Sequence, residues 1–598
     1  MKVIVCCLFV LANVSNKGKA SLESFAPTGS NVLFEDTTKN LEKASCYRPC
    51  KFNVKPKKCH YNFKIEPALL ENGRPSITIN GMTPGPPIQA CVNDIVVVEV
   101  ENRMMSQDIS IHWHGVDQKG TPYMDGVPMI TQCPIGYGQT YKYAFVASTP
   151  GTFFYHADSV SHQSDGVYGP LIINQPQPLE PHSSLYDYDR SGENTLTVGA
   201  RFPELLTAKL EDVSRLPPDA LFINGDEDVS KLFVMAGFAY RLRFINAVAI
   251  ECPVTINIEN HEMVAIATDG KPTRPVLARS VELYPGERMD VVVRATQESG
   301  GYWVRAQGRG VCAGLSANAM LIYSGFNYTS MLQENQTDVN DHSYWDAGII
   351  LGGQMLEALQ EQTHVPEVKS VYLGIDRKVI KVKPDDLDFR YISDAIPKKP
   401  FYPAALSLRE DGVVQINGKS FLYPNEPLLL KPREVKEDKF FCMVGEEEKH
   451  QESQCVQVLD AAEGEMLEIA LVNEGFGSND SYTFHMHGYG MQVVSTWQNP
   501  KDKPISKQDF QRFSKDGKIL RNLQNPPVKD TITVPNKGFT IVRMKLNRGG
   551  TWLLECRSCA LSSLPTAIVI RVPLTMPKSV VDSLPKCGNY RPPDVLLN

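Results

Sequence analysis

Two short motifs, His112-Trp-His114-Gly and His485-Met-His487-Gly, set histidines two residues apart, and a further histidine lies in Tyr155-His156-Ala157-Asp158. Five of the chain's twelve histidines therefore fall in three tight clusters. On a strand, residues i and i+2 point to the same face, so each His-x-His offers two imidazoles side by side. Imidazole nitrogen suits copper, zinc, iron and nickel. A lone His-x-His more often packs or faces solvent. Two of them, each followed by glycine and placed towards opposite ends of the chain, point to a metal centre closed by the fold.

The elements that position these motifs come from an internal repeat. Ile79-Asn80-Gly81, Ile223-Asn224-Gly225 and Ile416-Asn417-Gly418 mark three turns. Each precedes a strand ending in asparagine, at Asn102, Asn246 and Asn473. The interval between the two asparagines is 22 residues in the first two copies and 56 in the third, where the acidic insert Lys436 to Gln454 intervenes. Gly151-Thr-Phe, Gly301-Tyr-Trp and Gly550-Thr-Trp then open a later strand, and Leu171-Ile-Ile, Met320-Leu-Ile and Ala567-Ile-Val-Ile close each unit. Alternating β-branched segments bounded by Gly, Pro and Asn are half-buried antiparallel strands. Three copies of more than a hundred residues predict an all-β chain of three tandem Greek-key barrels or sandwiches. The predicted boundaries are 62–178, 179–328 and 364–575, with a Cys-containing extension at 21–61, a linker at 329–363 and a tail at 576–598.

The composition agrees. With 598 residues, 42 Gly and 42 Pro, the chain is long enough for several cores and too turn-rich for a helical bundle. A net charge of −7 without a long basic run argues against a nucleic-acid partner. Lys2, the apolar run Val3 to Val14 and the small residues before Ala20 read as a signal peptide over 1–20. No later run is apolar enough to predict a membrane span. Removing Cys6 and Cys7 leaves twelve cysteines, an even number suited to an oxidising compartment. Asn327, Asn335 and Asn479 stand in glycosylation acceptor sequences. The expected location is extracellular, with an unknown partner or ligand.

The histidine motifs, with Asp125-Gly126, Gln132-Cys133-Pro134-Ile135, Asp165-Gly166 and Pro285-Gly286-Glu287-Arg288, resemble the laccase-type multicopper oxidases over about residues 62–572. The resemblance implies three cupredoxin domains. It also implies a type-1 copper that takes electrons from phenols or metal ions. A Cys flanked by His passes them to a trinuclear type-2/type-3 cluster, which reduces dioxygen to water.

Carried over position by position, the resemblance gives an incomplete ligand set. His112 and His485 fall at the type-2 positions. One type-3 copper corresponds to His114, His156 and Arg557, the other to Asp158, His487 and Glu555. At the type-1 site only the thiolate, Cys556, is kept; Tyr482 and Leu561 stand where imidazoles belong, and Thr566 falls near the axial position. A thiolate without imidazole partners cannot form a His₂Cys blue-copper site. Tyrosine of ordinary pKa is a poor ligand and leucine is none. The expected cofactor is none, or one residual copper or zinc; Asp158, His487 and Glu555, or His112 with His485, form the alternative metal-holding sets. Arg557 is expected to replace a copper as the local cation, bridging Asp158 and Glu555 between the first and third domains.

One cysteine pair follows the same resemblance. Cys133 and Cys587 match a pair that ties the first domain to the tail in laccases. Cys252 with Cys312 would close the second domain and Cys442 with Cys455 the insert, while Cys46, Cys50, Cys59 and Cys91 supply two further bridges. Cys556 and Cys559 remain, as a self-closing pair, a redox CxxC or free thiols. Asp125 matches the family's acid near the type-2 water channel, and a glycan on Asn479 would crowd the approach to Tyr482. The pattern is closest to the degenerate multicopper oxidase-related proteins of insects. It leads to an extracellular binding or scaffold protein, with a weakened copper oxidase as the enzyme-class alternative.

Overall fold

The computed structural model describes residues 46–208, 217–225, 229–329, 349–361, 367–378, 413–424, 426–430, 441–445, 454–475, 480–559, 565–584 and 587. The signal-peptide reading, most of the N-terminal extension, Asn335, Asn479 and Leu561 lie outside the described residues.

Three β-sandwich units follow one another. In the first, a sheet of Pro75–Ile79, Lys58–Leu69, Ile95–Asn102 and Thr140–Val146 faces one of Ile88–Cys91, Tyr168–Asn174, Gly151–Ala157 and Ile111–His114. The second has two six-stranded sheets, and the third a six-stranded sheet and a larger one. Each unit opens with the same crossover. Lys58–Leu69 runs parallel to Ile95–Asn102, Thr195–Arg201 to Ala239–Asn246, and Lys369–Lys378 to Met466–Asn473. The layout is the cupredoxin Greek key, three times over.

The repeated asparagines explain the repeat physically. Asn80, Asn224 and Asn417 sit at φ of 55°, 58° and 51°, the left-handed region that asparagine tolerates better than most side chains. Their Oδ1 atoms accept the N–H of Lys64, Thr197 and Gly374, pinning the turn to the unit's first strand. The strand-ending asparagines are buried connectors. Asn102 Nδ2 donates to the carbonyls of Gln107 and Ile135, Asn246 Nδ2 to those of Cys252 and Leu283, and Asn473 Nδ2 to that of Asp480. A one-residue pattern in the sequence is therefore one hydrogen-bonding device used three times.

Two boundaries differ from the expectation. The first sandwich takes in Lys58 to Tyr61, because the strand Lys58–Leu69 starts inside the predicted extension. The predicted linker contributes Ile350–Gly352, which pairs in parallel with Ser280–Leu283 and extends a second-unit sheet. Polar composition concealed this strand, since an edge strand needs only one buried side chain, here Leu351.

Among the described residues six disulfides form: Cys46–Cys59, Cys50–Cys91, Cys133–Cys587, Cys252–Cys312, Cys442–Cys455 and Cys556–Cys559. Asn327 is exposed in a turn where its Oδ1 accepts the Thr329 N–H. Among the described residues no helix is long and apolar enough to cross a membrane.

Candidate metal centre

Five imidazoles converge where the first and third units meet. His112 and His114 project from Ile111–His114, and His156 stands opposite His112 on the neighbouring strand Gly151–Ala157. His485 lies in Tyr482–Met486, with His487 just beyond its end. All five are buried. The flanking glycines are required by close approach. Gly115 has φ +88°, and a Cβ there would collide with the Arg288, Asp530 and Phe153 side chains; at Gly488 it would meet the Trp552 ring.

Hydrogen bonds fix which ring nitrogens are bare. A carbonyl oxygen only accepts, so the nitrogen facing it carries the hydrogen. His112 Nδ1 lies 2.8 Å from the Asp125 carbonyl, His156 Nδ1 2.7 Å from that of Ala157 and His485 Nδ1 3.1 Å from that of Asp530. The Thr531 hydroxyl donates to Asp530, so its oxygen accepts from His114 Nε2 at 2.8 Å. The unprotonated nitrogens then face each other in two pairs: His112 Nε2 to His485 Nε2 at 3.1 Å, and His114 Nδ1 to His156 Nε2 at 3.2 Å. Burial, followed by the neighbouring rings or Arg557, holds His112, His114 and His156 well below the ordinary histidine pKa, so they stay neutral. Facing lone pairs repel. A cation between them removes that repulsion, and both nitrogens of a pair lie within reach of one metal ion at bond lengths of about 2.0–2.1 Å.

His487 is different. Its Nδ1 lies 2.9 Å from Asp125 Oδ2 and its Nε2 3.5 Å from Glu555 Oε1. Burial lowers its pKa, but Asp125 and then Glu555 outweigh burial and push it up to about 10. A metal ion at His487 would have to displace that proton in competition with Asp125 and Glu555.

Arg557 turns inward, 5% exposed. Its guanidinium donates to Glu555 Oε1 at 2.8 Å, to Gln163 Oε1 at 2.5 Å and to the Asp158 main-chain carbonyl at 3.5 Å. The expected bridge between two carboxylates is corrected in one respect. Arg557 spans the two domains, but it meets the backbone of Asp158, and Gln163 takes the second contact. Burial and then the Glu555 charge push the Asp158 carboxyl up to about 7, so that group is a weak partner for a cation near neutrality. Glu555 carries the compensating charge: burial opposes its ionisation, yet Arg557 and His487 bring it below the usual carboxylate range.

The donor set therefore fits a metal ion at an imidazole pair, and it does not fit a complete trinuclear cluster. The positions beyond those pairs hold an ion network of Arg557, Glu555, His487 and Asp125. The thiolate candidate is also engaged. Cys556 is bonded to Cys559, whose N–H donates to Cys556 Sγ at 3.2 Å. Tyr482 is buried in the same core, and the Thr566 hydroxyl turns to the Val414 carbonyl at 3.0 Å.

Sequence reasoning missed the clamp beneath the histidines. Arg288 of the second unit holds Asp530 of the third by two bonds, 2.6 and 2.5 Å, and the Asp530–Thr531 segment orients His114 and His485. Beside it, Lys529 is buried between Asp269 at 2.9 Å and Glu287 at 3.2 Å. Pro285-Gly-Glu-Arg288 was visible as a motif; its partner, 242 residues away, had no local signal.

Three models described as multicopper oxidase match residues 64–178, 182–337 and 421–560. The chain belongs to the multicopper oxidase family. Laccase-2 of Botryotinia fuckeliana is 26% identical over 81% of this chain and 76% of its own length. L-ascorbate oxidase of Cucurbita maxima is 25% identical over 83% and 87%. Among solved structures, the laccase of Botrytis aclada superposes with a TM-score of 0.67 at 22% identity over 90% and 92% of the two chains. Fet3p, a multicopper oxidase that functions in iron import, gives 0.67 at 21% over 86% and 90%. These structural likenesses support the fold. The multicopper oxidase family is copper-dependent, and in this member the imidazole pairs are where copper would be held.

Proposed function

We propose that this multicopper oxidase homologue is a secreted, non-catalytic binding or scaffold protein whose copper sites are incomplete. The observation that carries the reading is the Cys556–Cys559 bond. The family's electron entry needs a free thiolate with imidazole partners, and here the sulfur is closed in a disulfide beside Tyr482. The electron exit is altered as well, because Glu555 and Arg557 flank Cys556 where the family has histidines. Replacement of the copper charge by Arg557 supports a site rebuilt to stay closed without its cluster. Six disulfides and the acceptor sequence at Asn327 support an extracellular setting. The insect grouping rests on the Cys-rich stretch Cys46 to Cys59 alone.

A second reading is favoured by one observation: the bare nitrogens of His112 and His485 face each other at 3.1 Å. That pair retains a single copper or zinc ion. Bound copper there would supply a type-2-like centre, while His112 and His485 do the holding and Asp125 and Asp530 fix their tautomers.

Oxygen uptake by the copper-loaded chain with a diphenol, run beside peptide mapping of its thiols, tests the main reading. No uptake and a Cys556–Cys559 peptide are expected. Turnover with Cys556 recovered as a free thiol refutes it.

A further inference from the structure

A cavity of about 730 Å³ lies where the N-terminal Cys-rich segment, the first sandwich, the segment joining it to the second, and a sheet of the second meet. Its size is within the range of about 300–1,000 Å³ common for small-ligand sites. None of the five clustered histidines lines it.

Its walls mix apolar side chains, among them Ile173 and Leu359, with polar ones. Amide side chains are contributed by Gln89, Asn174, Gln175 and Gln177. Most of the ionic residues are already engaged: Arg241 with Glu180 at 3.1 Å, Arg243 with Asp189 at 2.5 Å, both arginines with Asp290 behind them at 2.6 and 3.0 Å, and Arg48 with Asp94 at 2.7 Å, while the carboxylates facing Lys271 are Asp117 and Asp530, outside the cavity. Such interlocked pairs leave many donors and acceptors but little net field. Two aromatic rings border the space, Tyr47, which is 65% exposed, and Tyr186, with the Arg241 guanidinium 5.7 Å from its centre. Some hydrogen-bonding capacity is unspent. Arg243 is 2% exposed, and its Nε has no partner among the described residues.

The ligand class follows from elimination. An apolar ligand would displace water from the amides of the wall and leave the Arg243 Nε without a partner, at about 1–3 kcal/mol for each group left unsatisfied. A strongly charged ligand would have to break existing ion pairs to gain its own. Hydroxyl groups donate and accept at once, so they match amides, carboxylates and guanidinium groups without disturbing the pairs. The C–H face of a pyranose ring also suits an exposed tyrosine. We propose that this cavity binds a short, uncharged oligosaccharide. The proposal rests on the reading of the chain as a binding protein and gives that reading a site.

Isothermal titration of the purified full chain with maltotriose, cellotriose and triacetylchitotriose tests it. At least one is expected to bind at one site per chain. Leu179→Trp fills the mouth from a residue that is 52% exposed, so it leaves the fold intact. It is expected to weaken binding by at least about tenfold. Tyr47→Ala is expected to act in the same direction. Absence of binding by all three saccharides overturns the proposal, as does binding that Leu179→Trp leaves unchanged. Oxygen uptake with a diphenol, measured on the same preparation, reports separately on the non-catalytic reading, so the two can fail independently.

Discussion

Replacing Arg557 by methionine removes the cation that spans the first and third units. The side chain is 5% exposed and is held by Glu555 at 2.8 Å, Gln163 at 2.5 Å and the Asp158 carbonyl at 3.5 Å. Its loss leaves Glu555, whose side chain is 13% exposed, with His487, 3.5 Å away, as its one charged partner among the described residues. Breaking a buried pair in this way costs about 3–5 kcal/mol. For a unit of this size, each kcal/mol lowers the melting temperature by about 2–4 °C, so the transition should fall by roughly 6–20 °C. Pairing Arg557→Met with Glu555→Leu removes both charges and should recover most of the loss, because His487 keeps Asp125 at 2.9 Å. Calorimetry at neutral pH, with and without a chelator, reads both variants. A single variant that melts within about 1 °C of the parent refutes the assignment of Arg557 as the interdomain cation.

Other outcomes follow from the same contacts. Asn246→Ala removes the donor to the Cys252 and Leu283 carbonyls and the acceptor for Val248, and should cost the second unit about 2–4 kcal/mol by denaturant titration. Burial pushes the Asp108 carboxyl from 3.8 up to about 7. Its folded pKa is raised, so its contribution to stability is full below pH 3.8 and is lost as pH rises through about 7. Asp108→Asn, which cannot ionise, should therefore be relatively more stable than the parent above pH 7, and parallel melting curves at pH 4 and pH 8 would contradict this. The combination Tyr482→His, Leu561→His and Cys559→Asp frees the Cys556 thiolate and returns imidazoles to the two positions where the family resemblance expects them. A blue-copper absorption should then appear on copper addition, and its absence refutes the assignment of those positions.

Much of the framework is legible in the residues themselves. Asn80, Asn224 and Asn417 announce turns because few side chains accept a positive φ, and Asn102 and Asn246 end strands because their amides must reach buried carbonyls. His112 and His114 declare a shared face through strand periodicity alone. Contacts between units are not legible in this way. Arg288 and Asp530, or Arg557 and Gln163, are separated by hundreds of residues, and the partner of a guanidinium is settled by how two domains pack. Arg557 illustrates the boundary. Its inward direction follows from its place beside Glu555 at the end of a strand, whereas the choice of Gln163 over the Asp158 carboxylate depends on local burial.

The central claim is that the electron entry is closed and that the ion network excludes a full copper complement. Metal analysis combined with a visible spectrum of the copper-loaded chain tests it most directly. The account predicts no more than one metal ion per chain and a colourless protein. Four coppers per chain with an intense blue band would contradict it.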